Sequence, residues 1–584
     1  MSFPVIRFTV DPARLDVEGD VEHVVRAADE RYEIVVDGLL FNGSELGAQP
    51  PTDSAQLLLS LYATKGRALL SELRGVFVLV IWDRQERSLI ATRDPLGMHP
   101  LFYAWVGPEL VLSWSIDALL EAGAAREVNR LFVAEHLLRR WRSAEETYFS
   151  AIRRVPAGQC LRVTNRTVVE PYWQLRPDTP PGVRDREAWL DEFEGRVEQA
   201  VGRCLGAGRA GVYLSGGVDS TTVTLAAARV SAGRGLPSPL ALSVSFPDPA
   251  ADETDEQRRV TAALGLPGWA CSAEERGEKD ATLLDSAVAA ITHRAVPIGA
   301  PWDLAYEVLA REARARGCEV LLTGEGGDEW LALPHGYAEE LLRRLELRRL
   351  GAFLSRAPSR GLWDSAVRPL LHRETRRFTH LAPSAYRRYR RARHPLPTWV
   401  GADEDLRRAL REGLDQPLAT GFAATARGSA IGHPLVSMYL EDSFALGRKF
   451  GIPLLHPLWD VDLVRFLSST PPEVLELDGR PKGLAVAGVK RRLPSVGAAW
   501  PRRVTADAFL ERVLREGLLP AWRAIGGCKA LASLGVVDAA RTERMIQTAG
   551  DGNSLPLRDA WAIVTSEAWL RPRIGDQGGV LWRE

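Results

Sequence analysis

Cysteine is scarce in this sequence, and the cysteines present form no pattern. Five occur in 584 residues, at scattered positions and never as a Cys-x-x-Cys pair. Disulfide frameworks and structural zinc sites need paired or closely spaced cysteines, so both are disfavoured. The composition therefore favours a protein of a reducing compartment.

Long apolar runs and a surplus of charge of one sign are missing as well. The most apolar stretch, Val76 to Trp82, is far shorter than the roughly 20 residues that cross a bilayer. The first residues lack the basic and apolar segments of a secretory signal. The formal net charge of −1 gives no general attraction to nucleic acid or to an anionic membrane. We therefore expect a cytoplasmic protein that binds neither.

The chain is too long for one hydrophobic core, and its pattern changes along its length. Residues 1–180 are strand-rich, and the Pro-rich, charged segment from Arg176 to Glu187 is the best candidate for a linker. Beyond it, strands alternate with helices, and helical patterns dominate from about residue 336. We predict one domain over 1–180 and a second over 185–584.

Within the first domain, turn residues separate runs of alternating apolar positions. The dipeptides Asp37-Gly38 and Asn42-Gly43 predict turns between strands. The segment Ala55 to Tyr62 predicts a helix with its leucines on one face.

In the second domain the strand–helix alternation predicts a parallel, doubly wound sheet. Strands are expected at Gly211 to Leu214, Leu240 to Phe246 and Val320 to Thr323. Two of these strands end in Gly-rich segments with acidic residues. In such sheets ligands bind beyond the carboxyl ends of the strands, so these segments mark a candidate site.

The first of these segments is Ser215-Gly216-Gly217-Val218-Asp219-Ser220, which lies between a strand and a helix. Its glycines allow backbone N–H groups to approach an anion, and the helix N-terminus adds partial positive charge. The sequence contains no Gly-x-x-x-x-Gly-Lys-Ser/Thr loop of the kinase type. The loop therefore predicts a phosphate or pyrophosphate site, with Mg²⁺ beside Asp219.

The second segment runs from Gly324 to Glu329. Its small residues and carboxylates could hold Mg²⁺ through Asp328 and move a proton through Glu325. Gly-rich turns with acidic residues are common, so this segment alone is weak evidence for a site. Its position at the end of a second strand strengthens the prediction.

Together these motifs resemble the synthetase domain of the asparagine synthetase superfamily. Other matches follow in the same order over almost the entire chain: LFNGSEL, LRGVFVLVIWD, ATRDPLGMHPLFY, RVPAGQ, Asp252-Glu253, Leu264-Gly265, HPLWDVDLVRFL, STPPEV and GRPKG. The resemblance implies an α/β protein: an N-terminal-nucleophile, glutaminase-like αββα sandwich, then a doubly wound parallel-sheet ATP-pyrophosphatase-type domain with a helical extension. It also implies an ATP-dependent, AMP-forming carbon–nitrogen ligase that uses ATP and Mg²⁺.

Carried over residue by residue, the resemblance implies specific site residues. They are Ser215, Gly216, Gly217 and Ser220 for the ATP phosphates, Asp219 and Asp328 for Mg²⁺, backbone near Leu242 and Ser243 for adenine, Gly324 for the nucleotide pocket, Lys482 for the pyrophosphate and the acyl oxyanion, and Glu325 for proton removal from the amine. A lysine suits its place because it supplies a compact point charge.

The sequence leaves the family pattern at two places. The glutaminase nucleophile of the family is a cysteine after the initiator Met, whereas Ser2 stands here and no cysteine precedes Cys160. The family's Pro-Phe-Leu-Asp segment reads GIPLLHPLWD, without the Glu and Arg ahead of the Pro. We therefore expect a first domain without glutaminase activity, an amine that arrives with the substrate, and a different acyl substrate.

Two branches of the superfamily pair an inactive glutaminase domain with an intramolecular amine. Trp330 after Gly-Gly-Asp-Glu, and the form Gly-Ile-Pro…His-Pro-Leu-Trp-Asp, look more like lasso peptide macrolactam synthetases (lasso cyclases) than β-lactam synthetases. The lasso branch implies a precursor peptide substrate, a leader-binding protein and a leader peptidase. A β-lactam synthetase-like or other amide ligase, a decayed scaffold protein and a tRNA-modifying ATP pyrophosphatase stay open as alternatives.

The residues from Arg343 to Arg393 are rich in arginine, including RRYRRAR. Solvated helices with basic faces explain such a composition, and so does a docking surface for an acidic substrate or partner.

Overall fold

The computed structural model describes most of the chain. The described ranges are 3–10, 13–19, 24–47, 54–176, 185–274, 282–292, 294, 296–297, 299–333, 337–356, 395–414, 430–497, 506–550 and 557–573. Ser2, the RRYRRAR segment at 387–393 and the predicted domain boundary between 180 and 185 lie outside these ranges.

Two antiparallel sheets form the first part of the structure. Their strands are β1 (Val5–Val10), β2 (Ala13–Glu18), β3 (Val24–Ala28), β4 (Tyr32–Leu40), β5 (Gly75–Asp83), β6 (Ser88–Arg93), β7 (Phe102–Val106), β8 (Glu109–Ser113), β9 (Arg153–Arg154), β10 (Gln159–Val163) and β11 (Thr167–Pro171). One sheet has the order β2-β1-β8-β7-β9 and the other β11-β10-β6-β5-β4-β3. Three helices accompany them: α1 (Ser54–Lys65), α2 (Ile116–Glu121) and α3 (Arg130–Leu138).

The two sheets pack face to face, with helices on both outer sides. Alternate side chains such as Phe8, Val80 and Trp82 fill the space between the sheets. Helix α1 covers the outer face of the six-stranded sheet, and α2 and α3 cover that of the five-stranded sheet. The αββα sandwich expected from the sequence is confirmed, and so is the helix predicted at Ala55 to Tyr62.

The turn predicted at Asp37-Gly38 is wrong, because both residues lie inside strand β4. Gly38 has a φ of +115°, and a Cβ there would fall 2.1 Å from the carbonyl oxygen of Val76 on the neighbouring strand. Close approach of two strands therefore requires this glycine. The turn at Asn42-Gly43 is confirmed.

A parallel sheet forms the second part. Its strands are β12 (Arg209–Tyr213), β13 (Leu240–Ser245), β14 (Gly268–Ser272), β15 (Cys318–Leu322) and β16 (Leu454–Leu455), in the order β14-β13-β12-β15-β16. Every neighbouring pair is parallel. All carboxyl ends therefore meet at one edge of the sheet.

Helices cover both faces of this sheet, as a doubly wound fold requires. The helices that follow the linker are α4 (Arg186–Cys204), α5 (Val218–Gly233), α6 (Thr254–Leu264), α7 (Leu283–Thr292), α8 (Asp303–Ala315) and α9 (Gly327–Trp330). Val212 and Leu322 pack with α4 and α5, whereas Leu242 and Leu321 pack on the side of α7 and α8. The predicted doubly wound sheet is confirmed.

The described residues beyond 336 are almost entirely helical. The helices are α10 (Tyr337–Arg343), α11 (Leu347–Arg356), α12 (Glu404–Leu414), α13 (Pro434–Phe450), α14 (Val461–Ser469), α15 (Pro472–Leu475), α16 (Gly483–Arg492), α17 (Pro494–Gly497), α18 (Asp507–Ala524), α19 (Lys529–Ser533), α20 (Ala539–Gly550) and α21 (Leu557–Leu570). The predicted helical extension is thus confirmed. Within the described ranges, no helix is both long enough and apolar enough to cross a membrane.

Replacement of Phe8 by alanine tests the packing between the two antiparallel sheets. Phe8 is 1% exposed, and its ring lies 4.8 Å from that of Trp82. We expect Phe8→Ala to lower the free energy of unfolding by about 3–5 kcal/mol, because it leaves a cavity in a closed core. Urea unfolding followed by tryptophan fluorescence measures the change. Val168→Ala, at a 39% exposed position, is the control, and equal losses in the two variants would contradict the described packing.

Candidate active site

The Gly-rich loop after β12 connects the strand to the N-terminus of α5. Leu214 continues the sheet by donating its N–H to the carbonyl of Leu242 at 2.8 Å. Gly216 then takes a φ of +100°, where a Cβ would crowd Glu253 at 3.0 Å. The chain therefore turns sharply, and α5 begins at Val218 with its free N–H groups at the carboxyl edge of the sheet.

The two serines of the loop hold each other. Their hydroxyl oxygens lie 2.9 Å apart, and the hydroxyl of Ser220 also donates to the carbonyl of Gly217 at 3.2 Å. The N–H of Gly217 donates to the hydroxyl of Ser215 at 3.3 Å. Hydroxyl and amide donors thus stand together in the first turn of α5, which is the composition of a phosphate site.

The second Gly-rich segment packs directly on the first. A Cβ at Gly324 would lie 2.7 Å from the backbone nitrogen of Ser220, and a Cβ at Gly327 would lie 2.1 Å from the carboxyl carbon of Asp219. Neither position has room for a side chain. The glycines of the second segment are therefore required by the contact between the two loops.

Lys482 joins the two loops electrostatically. Its Nζ lies 2.5 Å from Oδ2 of Asp219 and 2.7 Å from Oδ1 of Asp328. Lys482 itself has a φ of +55°, just before Gly483, where a Cβ would fall 2.1 Å from the carbonyl oxygen of Leu477. Burial acts to lower the pKa of Lys482, but attraction to the two aspartates outweighs it and raises this pKa.

The same region carries more negative than positive charge. Glu325 opens onto the cavity but is enclosed by its walls, and this enclosure, together with repulsion from Glu329, Asp328 and Asp219, raises its pKa to about 7. Burial also raises the pKa of Glu329. The single positive charge of Lys482 is smaller than the combined negative charge of these carboxylates.

The arrangement fits a magnesium ion. Both aspartates approach the same nitrogen atom, so their carboxylates face one position where a cation is stabilised. Carboxylate oxygens are the ligands that Mg²⁺ prefers, usually together with phosphate oxygens and water. The structure brings Asp219 and Asp328 together at Lys482, and their role as shared metal ligands stays a prediction.

A cavity of about 480 Å³ opens at this edge of the sheet, a size typical of small-molecule sites. Ser215, Asp219, Ser220, Leu242 and Gly324 line it, as do Glu325 and Asp328. The hydroxyl of Ser243 donates to the carbonyl of Leu214 at 2.8 Å, within the sheet. The structure therefore brings the predicted loop residues and Lys482 together, and the roles assigned to Leu242 and Ser243 stay predictions.

Sequence reasoning missed the far side of the cavity. There Arg294 lies between Asp303, at 2.9 Å, and Asp442, at 3.0 Å. Burial and the repulsion of Asp303 raise the pKa of Asp442 to about 6, against the attraction of Arg294. Tyr306 and Tyr439 line the same side. These residues come from separate segments, and no motif connects them.

The segment GIPLLHPLWD reaches the site through its histidine and tryptophan. Nδ1 of His456 lies 2.7 Å from the hydroxyl of Thr323, which also accepts the N–H of Glu325 at 3.2 Å. Burial lowers the pKa of His456 to about 4, so the ring is neutral. Trp459 meets Trp330 edge to face, with ring centroids 5.3 Å apart.

Two family models match the chain. One, described as asparagine synthase, matches residues 192–571, and the other, described as a glutamine amidotransferase domain, matches residues 13–173. The two matches correspond to the parallel-sheet part and to the sandwich part of the structure.

Curated relatives match the chain over part of their length. The amidase chyE of Penicillium rubens is 30% identical over 306 residues, 50% of this chain and 44% of its own. A putative glutamine-hydrolysing asparagine synthetase of Mycobacterium tuberculosis is 27% identical over 52% of this chain and 47% of its own. The glutamine-hydrolysing asparagine synthetase 1 of Bacillus subtilis is 24% identical over 54% and 49%. The chain thus spans about half the length of the curated relatives it matches.

Replacement of Gly327 by alanine tests the contact between the loops. Because the added Cβ would displace the Asp219 carboxylate, we expect Gly327→Ala to weaken the binding of a fluorescent ATP analogue by at least about tenfold, or about 1.4 kcal/mol. Titration in the presence of Mg²⁺ measures the affinity, and circular dichroism checks the fold. Gly233→Ala, where a Cβ meets nothing within 4 Å, is the matched control. Unchanged affinity in a folded Gly327→Ala variant would count against a joint role of the two loops.

Proposed function

The chain belongs to the asparagine synthase family, and from this premise we propose that it is a cytoplasmic, ATP-dependent, AMP-forming ligase that joins a carboxylate to an amine. The observation that carries the proposal is the meeting of Asp219, Asp328 and Lys482 at the edge of the parallel sheet. A Gly-rich loop at a helix N-terminus, two carboxylates that could bind a metal and a half-buried lysine at one edge of the sheet match the needs of adenylation.

The nucleotide fits the side of the cavity formed by the first loop. We assign its phosphates to Ser215, Gly216, Gly217 and Ser220, and its base to the backbone of β13 near Leu242 and Ser243. Gly324 lines the cavity where the second loop packs on Ser220. Asp219 and Asp328 would hold Mg²⁺, which supplies charge neutralisation to phosphate oxygens.

Two transfers complete the proposed reaction. A substrate carboxylate oxygen attacks the α-phosphorus of ATP, and the bond to the β-phosphate oxygen breaks, so that pyrophosphate leaves and an acyl-adenylate forms. The substrate amine then attacks the acyl carbon, the bond to AMP breaks, and the amine gives up a proton. Lys482 stabilises the charge that develops on pyrophosphate and on the acyl oxygen. Glu325, whose pKa is about 7, is suited to accept the proton near neutral pH.

The substrate we propose is a lasso peptide precursor, in which an Asp or Glu side chain is joined to the N-terminal amine as a macrolactam. Trp330 and Trp459, the two residues that favour this branch of the family in sequence, pack against each other beside the second loop. Holding both reacting groups in one cavity replaces a bimolecular encounter by effective molarity. We propose a leader-binding protein and a leader peptidase as its partners.

Incubation with ATP, Mg²⁺ and the leaderless core peptide tests the reaction. The precursor peptide is to be taken from a short gene beside the protein's own. We expect a product lighter than the peptide by one water, together with AMP and pyrophosphate, measured by mass spectrometry and nucleotide chromatography. Asp219→Ala and Ser215→Ala should abolish it, whereas Asp405→Ala, on exposed helix α12, should not. Release of ADP, or ligation of free aspartate with ammonia but no peptide product, would refute the macrolactam assignment.

The pH dependence tests the role of Glu325. Its raised pKa means that the carboxylate becomes protonated, and unable to accept a proton, as the pH falls below about 7. We therefore expect kcat/KM, which reports the pKa values of the free enzyme, to fall about tenfold per pH unit below that value, and Glu325→Gln to lower kcat/KM by about 10²–10⁴ and abolish the slope.

Glu253 provides a matched control for this experiment. Burial, together with repulsion from Glu256 and Asp252, also raises its pKa to about 7, but it lies beside the first loop. Glu253→Gln should keep the slope. If Glu253→Gln removes the slope and Glu325→Gln retains it, the proton is accepted elsewhere.

A further inference from the structure

Helix α13 lies between the antiparallel sandwich and the cavity and presents a different face to each. Residues 438, 441, 444 and 448 lie one turn apart on one face, and residues 439, 442, 443 and 446 lie on another. The first set contacts the sandwich and the second lines the cavity. A displacement of this helix would therefore change both its contacts with the sandwich and the shape of the cavity.

The centre of the sandwich face is a buried ion cluster. Glu441 accepts two hydrogen bonds from Arg154, at 2.5 and 2.9 Å, and one from Arg93 at 3.3 Å. The two arginine side chains are 0% and 1% exposed, and that of Glu441 is 9% exposed. A bidentate pair in a buried setting fixes both partners in one geometry. The cluster therefore fixes the position of α13 along its axis, and its rotation about that axis, relative to the sandwich.

Further contacts between this face and the sandwich lie on both sides of Glu441 along the helix. The hydroxyl of Tyr148 donates to the sulfur of Met438 at 3.7 Å. One turn beyond Glu441, the ring of Phe444 lies 4.3 Å from that of His99. Arg448 pairs with the buried Asp37 of strand β4.

The cavity face begins at the residue after Glu441. Asp442 pairs with Arg294 at 3.0 Å. Tyr439, 54% exposed, stands one turn before it, and Ser443 and Leu446 follow. This face lines the same cavity as the two Gly-rich loops. Because the proposed function assigns the loops to the nucleotide, the α13 face borders space that is open to the rest of the substrate.

We propose that α13 is the wall that receives the peptide substrate, and that Glu441 is a positioning residue through which the glutaminase-like sandwich holds that wall. The inference rests on the proposed function for the identity of the substrate. Glu441 touches neither the cavity nor the loops, so its effect reaches the substrate through Tyr439 and Asp442. The sandwich thereby acts on specificity without chemistry of its own.

Steady-state kinetics of Glu441→Gln test the proposal. We expect the KM for the core peptide to rise at least about tenfold while kcat and the affinity for the fluorescent ATP analogue change by less than about twofold, because the lost contacts hold the peptide equally in the ground state and in the transition state. A general loss of structure would alter all three. Arg130→Gln is the matched control, since it cuts another ion pair of the sandwich, with Asp403 at 2.5 Å, away from α13. Its peptide KM should stay within about twofold of that of the wild type.

A second variant keeps the test valid if Glu441→Gln does not fold. Phe444→Ala removes a contact on the same face and leaves no buried charge unpaired; we expect the peptide KM to rise about threefold with ATP affinity unchanged. A peptide KM within about twofold of the wild type in each variant that folds overturns the proposal.

Hydrogen–deuterium exchange separates this proposal from the macrolactam assignment. If the wild type does not convert the peptide, the proposed function fails, but the grip on α13 can still be measured. We then expect Glu441→Gln, or Phe444→Ala if the first variant does not fold, to raise amide exchange over 439–446 and to leave α5 at 218–233 unchanged. Equal exchange in variant and wild type over 439–446 would overturn the positioning role.

Discussion

The candidate site depends on one contact, that of the two Gly-rich loops around the ammonium of Lys482. The order β13-β12-β15 brings the loops to one edge, because parallel neighbours end on the same side. Gly324 and Gly327 then allow the second loop to touch the first. Asp219 and Asp328, far apart in sequence, thereby meet at a single nitrogen atom. A side chain at either glycine would separate the aspartates.

The antiparallel sandwich contacts α13, the helix whose other face lines the cavity. The match to a glutamine amidotransferase domain describes the architecture of the sandwich. The cluster of Glu441 with Arg93 and Arg154 joins this architecture to α13. Burying three charged side chains is costly unless each is paired, so such a cluster is a poor source of stability but a strong source of geometry. The absence of glutaminase activity that the sequence leads us to expect is therefore compatible with the presence of the domain.

The sequence predicts what local patterns encode. Period-two alternation and the strand–Gly–helix order identify the strand-rich first domain, the parallel sheet and the loop at Ser215–Ser220, because these depend on neighbouring residues. Gly38 shows the limit of that reasoning. The dipeptide Asp37-Gly38 is typical of a turn, but it lies inside β4, where the glycine allows close contact with the neighbouring strand. The cavity wall of Arg294, Asp303 and Asp442 could not be predicted, since Asp442 lies far along the chain from the other two and no periodicity relates them. The two-residue strand β16 is likewise defined only by its partner β15.

The charge balance of the cavity explains why a cation belongs to the reaction as much as the nucleotide does. Asp219 and Asp328 pair with Lys482, and burial, together with repulsion from Glu329, Asp328 and Asp219, raises the pKa of Glu325 to about 7. Phosphates brought alone to this edge would meet four carboxylates within a few residues of the loop. The N-terminus of α5 and Lys482 offset only part of that repulsion. Nucleotide and divalent cation therefore have a physical reason to enter together, and the carboxylates that repel the phosphates are the groups that we propose as ligands of the cation.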